Sequence, residues 1–568
     1  MYAIQKAKQD ALKVLKSAIG RGYTPSIDEL ETPPNEEMGD LAFPCFVLSQ
    51  GMGRNPSEIA SEIAAKAGVK GLVKRVESKG PYVNFWLNND AFAPHVMKEI
   101  QVAGGKYGRS TVGREKKVMV EYANLNTHKD VHIGHVRNMV LGQTVVNVLD
   151  AAGFQVLPVA YINDLGNHVA RCLWGVRHLA PDEEPPKGNE NAFFVRVYVE
   201  ATKRMEDDPG VREEISRIQH ALESGKGEWV KLWRKTNAWS LEGLKMVFQD
   251  LGLGLKKIYL ESEGLKDTKK IVQDLIKKGI VVHSDGAWVV PLEEEKLGVN
   301  LLVKSDGTHL YNAKDLALAK RKEKEEHPDR SIYVVDERQK LVMAQLFATL
   351  HKMGWKKDLF HLSYGAVSLP EGAMSTRKGN VVGYWDFRNT LVETAESGTK
   401  ERHEDWKEKD VRETARVIAF AALKFSMLSS DPEKPVVFDP DKALAFEGFS
   451  GPYLLYTVAR CESILRKSAE KVWGTGEGLT ERVETLLVRK LAEYPEVITK
   501  TSGDYRVSRV AQYLFDIAQE FNELYAHLPI LSERDEKKRQ SRLTLVQSTA
   551  RVLKNGLDLL GIETVDEM

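Results

Sequence analysis

Residues 121–138 read EYANLNTHKDVHIGHVRN, and at their centre stand His132, Ile133, Gly134 and His135. The segment lies between a short apolar run, KVMVEY from 117, and a helical pattern that aligns Val136, Val140, Val145 and Leu149. Imidazoles one turn apart at a helix N-terminus can donate hydrogen bonds to phosphoryl oxygens as charge develops, and glycine lets a nucleotide approach the backbone. The same residues would also suit half-buried structural histidines, or two metal ligands at i and i+3. A zinc site needs at least a third ligand, and His128 is the only nearby candidate. Downstream, EGAMSTRKGNVV at 371–382 follows a strand-like run. Its Ser375, Thr376, Arg377, Lys378 and Gly379 can close over a triphosphate and clamp the leaving pyrophosphate, although such a loop standing alone is usually a solvated turn.

The elements that must position these residues follow from periodicity. Strand, loop, helix and the strand FQVLPVAYIND make a βαβ unit, whose ligands sit at the carboxyl ends of the strands. A charged stretch between about 180 and 260 reads as a helical excursion; strand-like runs return at IVVHSDGAWVVPL, SIYVVD and LSYGAVSL, so one sheet is expected to be interrupted and resumed. Upstream, Ile4, Ala7, Ala11, Leu15 and Ala18 recur at helical spacing, a second helix is expected over 56–68, and PYVNFWLN reads as a strand. After ESGTKERHEDWKEKD the pattern is almost purely helical: Val510, Tyr513, Leu514, Ile517, Phe521 and Leu524 form one stripe, and Leu543, Val546, Ala550, Leu553 and Leu557 another. The expected architecture is multidomain α/β. It has a small α+β domain over 1–110, a Rossmann-like parallel-sheet domain over 111–400 with a helical insertion about 175–280, and an all-α bundle over 401–568.

Composition narrows the function. The 568 residues carry 81 Lys+Arg against 81 Asp+Glu, which argues against a basic coat that binds nucleic acid generally but allows segregated charged faces. Three scattered cysteines, Cys45, Cys172 and Cys461, write neither a CxxC metal site nor a disulfide framework. No span reaches the roughly 20 apolar residues of a membrane helix. A reducing, cytoplasmic setting is the expectation, with no structural metal.

HIGH followed by a Met-Ser-x-x-Lys-Gly loop, with an insertion between and a helical domain after, resembles the class I aminoacyl-tRNA synthetases. Within them the chain is similar to the arginyl-tRNA synthetases over nearly its whole length. GDLAFPCFVLS with PYVNFWLN resembles their N-terminal domain, VEYANLNTHKDVHIGH their signature, GTHLYNAKDLALAK their substrate strand and helix, and MSTRKGNVV their second motif. GPYLLYTVAR, QYLFDIAQEFNELY and the ending NGLDLLGIETVDEM resemble their anticodon-binding bundle.

The resemblance implies ATP-dependent attachment of L-arginine to the 2′-OH of the 3′-terminal adenosine of tRNA(Arg) through arginyl-adenylate, with AMP and pyrophosphate released. It implies ATP with Mg2+ as substrate, and a monomer. His132, His135, Lys129 and Lys378 become the catalytic set, and Gly134, Met374, Ser375, Thr376 and Gly379 join them around ATP. Tyr311 and Asp315, one helical turn apart, become the guanidinium readers, with Gln339 beside them and Glu121, Asn124 and Asn126 near the amino-acid backbone. Several positions depart from the pattern. Ala373 and Thr376 stand where the second motif has lysines, with Lys129 in the compensating role; Asp130 stands for proline, and His168 where glutamine is common. The alternatives are a class I synthetase for another amino acid such as lysine, a small-molecule nucleotidylyltransferase sharing HxGH, and a non-catalytic tRNA-binding paralogue. For tRNA contact, the bundle offers Tyr453, Tyr456, Tyr513, Tyr525, Arg460, Arg506 and Arg509.

Overall fold

The computed structural model describes the whole chain except residues 21, 34, 188–189, 371–381 and 469–470. The helix Ala3–Ile19 buries Ala7, Ala11, Val14 and Leu15 in a core shared with a three-stranded antiparallel sheet, in which Tyr82–Leu87 lies between Leu41–Pro44 and Val73–Lys79. The helix Pro56–Lys66 starts where Asn55 accepts a hydrogen bond from the Ser57 amide, with proline in the first turn. This domain rests on the C-terminal bundle: Lys8 pairs with Glu496 at 2.6 Å, and the Tyr107 ring stacks on Tyr494 at 6.0 Å.

The central sheet is fully parallel. Its strands are β1 (Lys117–Glu121), β2 (Gln155–Ile162), β3 (Lys257–Leu260), β4 (Arg330–Asp336) and β5 (Asp358–Tyr364), in spatial order β3-β2-β1-β4-β5. The chain builds outward from β1 to β3, then crosses back to add β4 on β1's other side. The carboxyl ends of β1 and β4 therefore flank the switch in strand order, where an open α/β sheet holds its ligand. The helix α1 (Ile133–Ala151) follows β1, and all four of Val136, Val140, Val145 and Leu149 are buried.

Between β2 and β3 run α2 (Asn167–Leu179), two further helices over Glu190–Asp207 and Pro209–Ser224, and α3 (Glu228–Asp250). They share a core that includes Val169, Leu173, Ile215, Ile218 and Leu222. Two expectations change here. The sheet takes its third strand back at 257, inside the stretch expected to be insertion. IVVHSDGAWVVPL does not rejoin the sheet: Ala287–Pro291 pairs with Val282–Ser284 on one side and Val299–Val303 on the other as a separate antiparallel sheet. That sheet packs Val290 and Leu302 against α4 (Tyr311–Glu326) and α5 (Lys340–Lys352) through Leu316 and Leu346. Strand residues alternating about a tight turn specify a hairpin but not the sheet that receives it.

The remaining described chain is mainly helical: α6 (Tyr384–Arg402), α7 (Glu408–Leu428), a short helix at Pro440–Ala443, α8 (Gly451–Ser468), α9 (Arg482–Asp504), α10 (Ser508–His527) and α11 (Glu536–Leu559), with a two-residue parallel pairing of Val367–Ser368 and Val436–Val437. Both expected apolar stripes are buried in α10 and α11. Arg542 lies inside the bundle, held by Glu484 at 2.7 Å and Glu533 at 2.8 Å. The bundle also touches the catalytic domain through α1. Asn147 donates to the Leu559 carbonyl at 3.1 Å, and Arg137 donates to the carbonyls of Gly365 at 2.7 Å and Pro432 at 3.0 Å. Among the described residues no helix is long and apolar enough to cross a membrane.

Candidate active site

His132 is the N-cap of α1. Its Nδ1 accepts from the Gly134 amide at 3.2 Å, while the His132 amide donates to Nδ1 of His135 at 3.2 Å. The two rings lie 3.7 Å apart. Because both Nδ1 atoms accept, the proton of each neutral ring sits on Nε2, leaving two N–H donors at a helix N-terminus. Burial holds His132 down to about 4, with Arg338 and Lys129 acting the same way, and holds His135 well below the usual histidine range. Both are therefore neutral donors near pH 7. A Cβ on Gly134 would stand 3.0 Å from the His132 ring, so glycine there keeps that ring in place.

Lys129 is half-buried, and burial together with Arg171 lowers its pKa. Among the described residues no carboxylate pairs with it. Asp130 turns instead toward Gly383, where an added Cβ would sit 2.3 Å from its Oδ2, and burial pushes its carboxyl up to about 6. Tyr384 donates its amide to the Val131 carbonyl at 2.7 Å, and Gly383 bridges to His132. The chain leaving the second motif is thus tied to the first. Met374, Ser375, Thr376, Lys378 and Gly379 lie outside the described residues. His168, near Lys129, is held by burial at about 3, with its Nε2 buried and unpartnered. His128 is no metal ligand here: its ring nitrogens bond Thr127 at 2.9 Å and Thr236 at 2.8 Å. Among the described residues no group of three His, Cys, Asp or Glu could hold a metal ion.

The second half of the site lies where β2, β3 and α4 meet. Tyr311 opens α4 and is 52% exposed; Asp315, one turn on, is half-buried beside Tyr161 and Tyr333. Burial pushes the Asp315 carboxyl up to about 7; Glu261 acts in the same direction and Lys314 opposes it. Lys314 does not pair with Asp315, as a solvated helix face would allow. It is bonded to Glu261, which also accepts from Asn163 at 2.7 Å. Glu261, just past β3 and 2% exposed, was not singled out by sequence reasoning; an acidic residue at the carboxyl end of a parallel strand is the signal that marks it once the strand order is known.

Glu121 ends β1 and is buried; its carboxylate pairs with Lys322 of α4 and accepts from Asn124 at 3.0 Å, and Asn124 in turn accepts from the Tyr161 amide at 3.1 Å. Asn126 bridges to Asn163 at the ends of β1 and β2. Gln339 is exposed at the N-terminus of α5, just past β4, and no hydrogen bond joins it to Tyr311 or Asp315. Among the described residues, then, Glu261 and Glu121 each have a lysine, and Asp315 has neither hydrogen-bond nor ion-pair partner.

A parallel sheet whose switch point carries a HIGH signature defines a class I synthetase site. Residues 96–439 match the family described as "tRNA synthetases class I (R), catalytic domain". Residues 3–87 match "Arginyl tRNA synthetase N terminal domain" and residues 454–568 the "DALR anticodon binding domain". The chain is 34% identical to Arginine--tRNA ligase of Bdellovibrio bacteriovorus, with 98% of each chain covered, and 33% identical to that of Treponema denticola, with 99% of each covered. The solved Thermus thermophilus arginyl-tRNA synthetase superposes with a TM-score of 0.84 at 27% identity, covering 99% of this chain and 100% of that one. The Plasmodium falciparum arginyl-tRNA synthetase shares the fold, with a TM-score of 0.82 at 19% identity over the full length of both. The chain belongs to the arginyl-tRNA synthetase family.

Proposed function

We propose that the chain joins L-arginine to tRNA(Arg), and that Asp315 and Tyr311 read the guanidinium. The observation that carries this is the charge balance of the pocket: with Glu261 held by Lys314, Glu121 by Lys322, and Asp164 taken up by hydrogen bonds from Ser262 and Asn237, the carboxylate left without a partner among the described residues is Asp315, which suits the substrate's cation. A guanidinium is planar, permanently charged and rich in donors, so a carboxylate and a tyrosine hydroxyl one turn apart can tell it from an ammonium. Gln339, Asn124 and Asn126 complete the amino-acid side of the pocket.

In the first step a carboxylate oxygen of arginine attacks the α-phosphorus of ATP and pyrophosphate leaves. His132 and His135 direct their Nε2–H donors at the phosphoryl oxygens, taking the place of water as the site fills. Lys129 supplies the positive charge, with Lys378, Met374, Ser375, Thr376 and Gly379 closing over the leaving group and Gly134 admitting the adenine. Mg2+ arrives with the ATP phosphates as part of the substrate. In the second step the 2′-OH of the terminal adenosine attacks the arginyl carbonyl carbon, and AMP leaves.

On the bundle, Tyr456 and Tyr525 are 38% and 47% exposed and flank Arg460, whose guanidinium lies 4.6 and 5.1 Å from their rings. That arrangement suits stacking of unpaired bases. Tyr513 is buried and donates to the Lys490 carbonyl at 2.7 Å, Tyr453 is half-buried with its hydroxyl accepting from Asn522 at 2.8 Å, and Arg509 is taken by Asp504, so Tyr456, Arg460 and Tyr525, with the exposed Arg506, are our tRNA-contacting set. The protein acts in the cytoplasm as a monomer. The test is aminoacylation and ATP–pyrophosphate exchange with each amino acid, with and without tRNA; charging by lysine in preference to arginine would refute the assignment.

A further inference from the structure

Tyr311, Asp315, Leu318 and Lys322 recur at spacings of four and three, so one face of α4 carries both the pocket residues and, two turns further, a buried lysine. Lys322 is 2% exposed and Glu121 5%. The ammonium lies 5.1 Å from the Tyr333 ring and 5.8 Å from the Tyr259 ring, so an aromatic pair shields the ion pair from water. Glu121's other oxygen fixes the Asn124 side chain, whose own carbonyl is fixed by the Tyr161 amide. A strut thus runs from α4 through β1 to β2, and the loop that carries Asn126 and leads to the HIGH signature begins on it.

We infer that Lys322 is a positioning residue for arginine: it commits Glu121 to a buried pair, so that Glu121 acts by orienting Asn124 and the loop after β1 and does not itself meet the substrate's ammonium group. This rests on the pocket reading above. The inference reverses the role that sequence similarity gives Glu121, and the two roles predict opposite signs. If Glu121 were a direct ligand, releasing it from Lys322 would tighten arginine binding. If it is a strut, release leaves an unpaired buried carboxylate and loosens the loop.

The test measures KM for arginine and for ATP in Lys322→Met, in the double variant Glu121→Gln with Lys322→Met, and in Asp315→Asn, with melting temperatures alongside. Lys322→Met should raise the arginine KM by about tenfold and leave the ATP KM within about twofold. The double variant keeps the hydrogen bond to Asn124 without a buried charge, and its arginine KM should lie within about threefold of the parent. An arginine KM that is lowered or unchanged in a folded Lys322→Met protein overturns the inference, as does a double variant weakened tenfold or more. Should Lys322→Met fail to fold, the double variant alone decides. The Asp315→Asn arm separates the two levels: if it leaves the arginine KM unchanged, the pocket reading fails, whereas a large rise there with no response at Lys322 defeats only the strut.

Discussion

The two halves of the site differ in how their charges are settled before any ligand binds. At the start of α1 the groups are neutral imidazoles, a helix N-terminus and Lys129, with which no carboxylate pairs among the described residues. In the pocket under α4, Glu261 and Glu121 each hold a lysine, Asp164 takes hydrogen bonds from Ser262 and Asn237, and among the described residues Asp315 has no partner. Each half is complementary to the charge its substrate brings, an anion at one end and a cation at the other. Burial makes that complementarity matter, since an unpaired charge in a low dielectric gains most from a partner.

Removing the charge from the cationic-substrate half should have the largest effect. Asp315→Asn is expected to lower kcat/KM for arginine on the order of 10³-fold, about 4 kcal/mol, with the ATP KM little changed; steady-state exchange kinetics measure it. On the other half, His135→Ala removes one positioned donor and should lower the rate of adenylate formation by roughly 10²-fold, with little change in arginine KM; single-turnover kinetics would reveal it. A similar loss in both parameters would erase the contrast between the halves. Protonation offers a milder perturbation. Burial sets free Asp315 at about 7, and it must be ionised to hold a guanidinium, so kcat/KM for arginine should fall about tenfold per pH unit below that value; burial also pulls Lys322 down to about 7, so the pair with Glu121 should weaken and kcat/KM decline again above it. The histidines, already neutral there, contribute no such slope. The smallest effect is expected at the tie between motifs. Gly383→Ala crowds Asp130 and should slow activation about fivefold, and Asp130→Ala in the same chain should restore it.

The same contrast explains what the sequence could reveal. His132, Gly134 and His135, or Tyr311 and Asp315, lie within one helical turn of each other, so local spacing alone predicts their juxtaposition. The bundle stripes were legible for the same reason. Glu261 and Lys322 were not, because their roles depend on β3 lying beside β2 and on α4 crossing behind β1, which are facts of strand order. Local pattern also left the hairpin at 282–291 without a sheet to join. Charge counting was informative only in part: residues 401–568 carry 25 basic against 29 acidic groups, so the bundle's cationic surface has to be local, as at Arg460.

The central claim is that Asp315 waits for the substrate's cation. Calorimetric titration of arginine into the protein near pH 7, repeated in buffers of different ionisation enthalpy, counts the protons exchanged on binding. Because the guanidinium must draw Asp315 into its ionised form, binding should release a fraction of a proton, and Asp315→Asn should abolish that release along with most of the affinity. Arginine binding with no proton released, or with the same release in Asp315→Asn, would contradict the account.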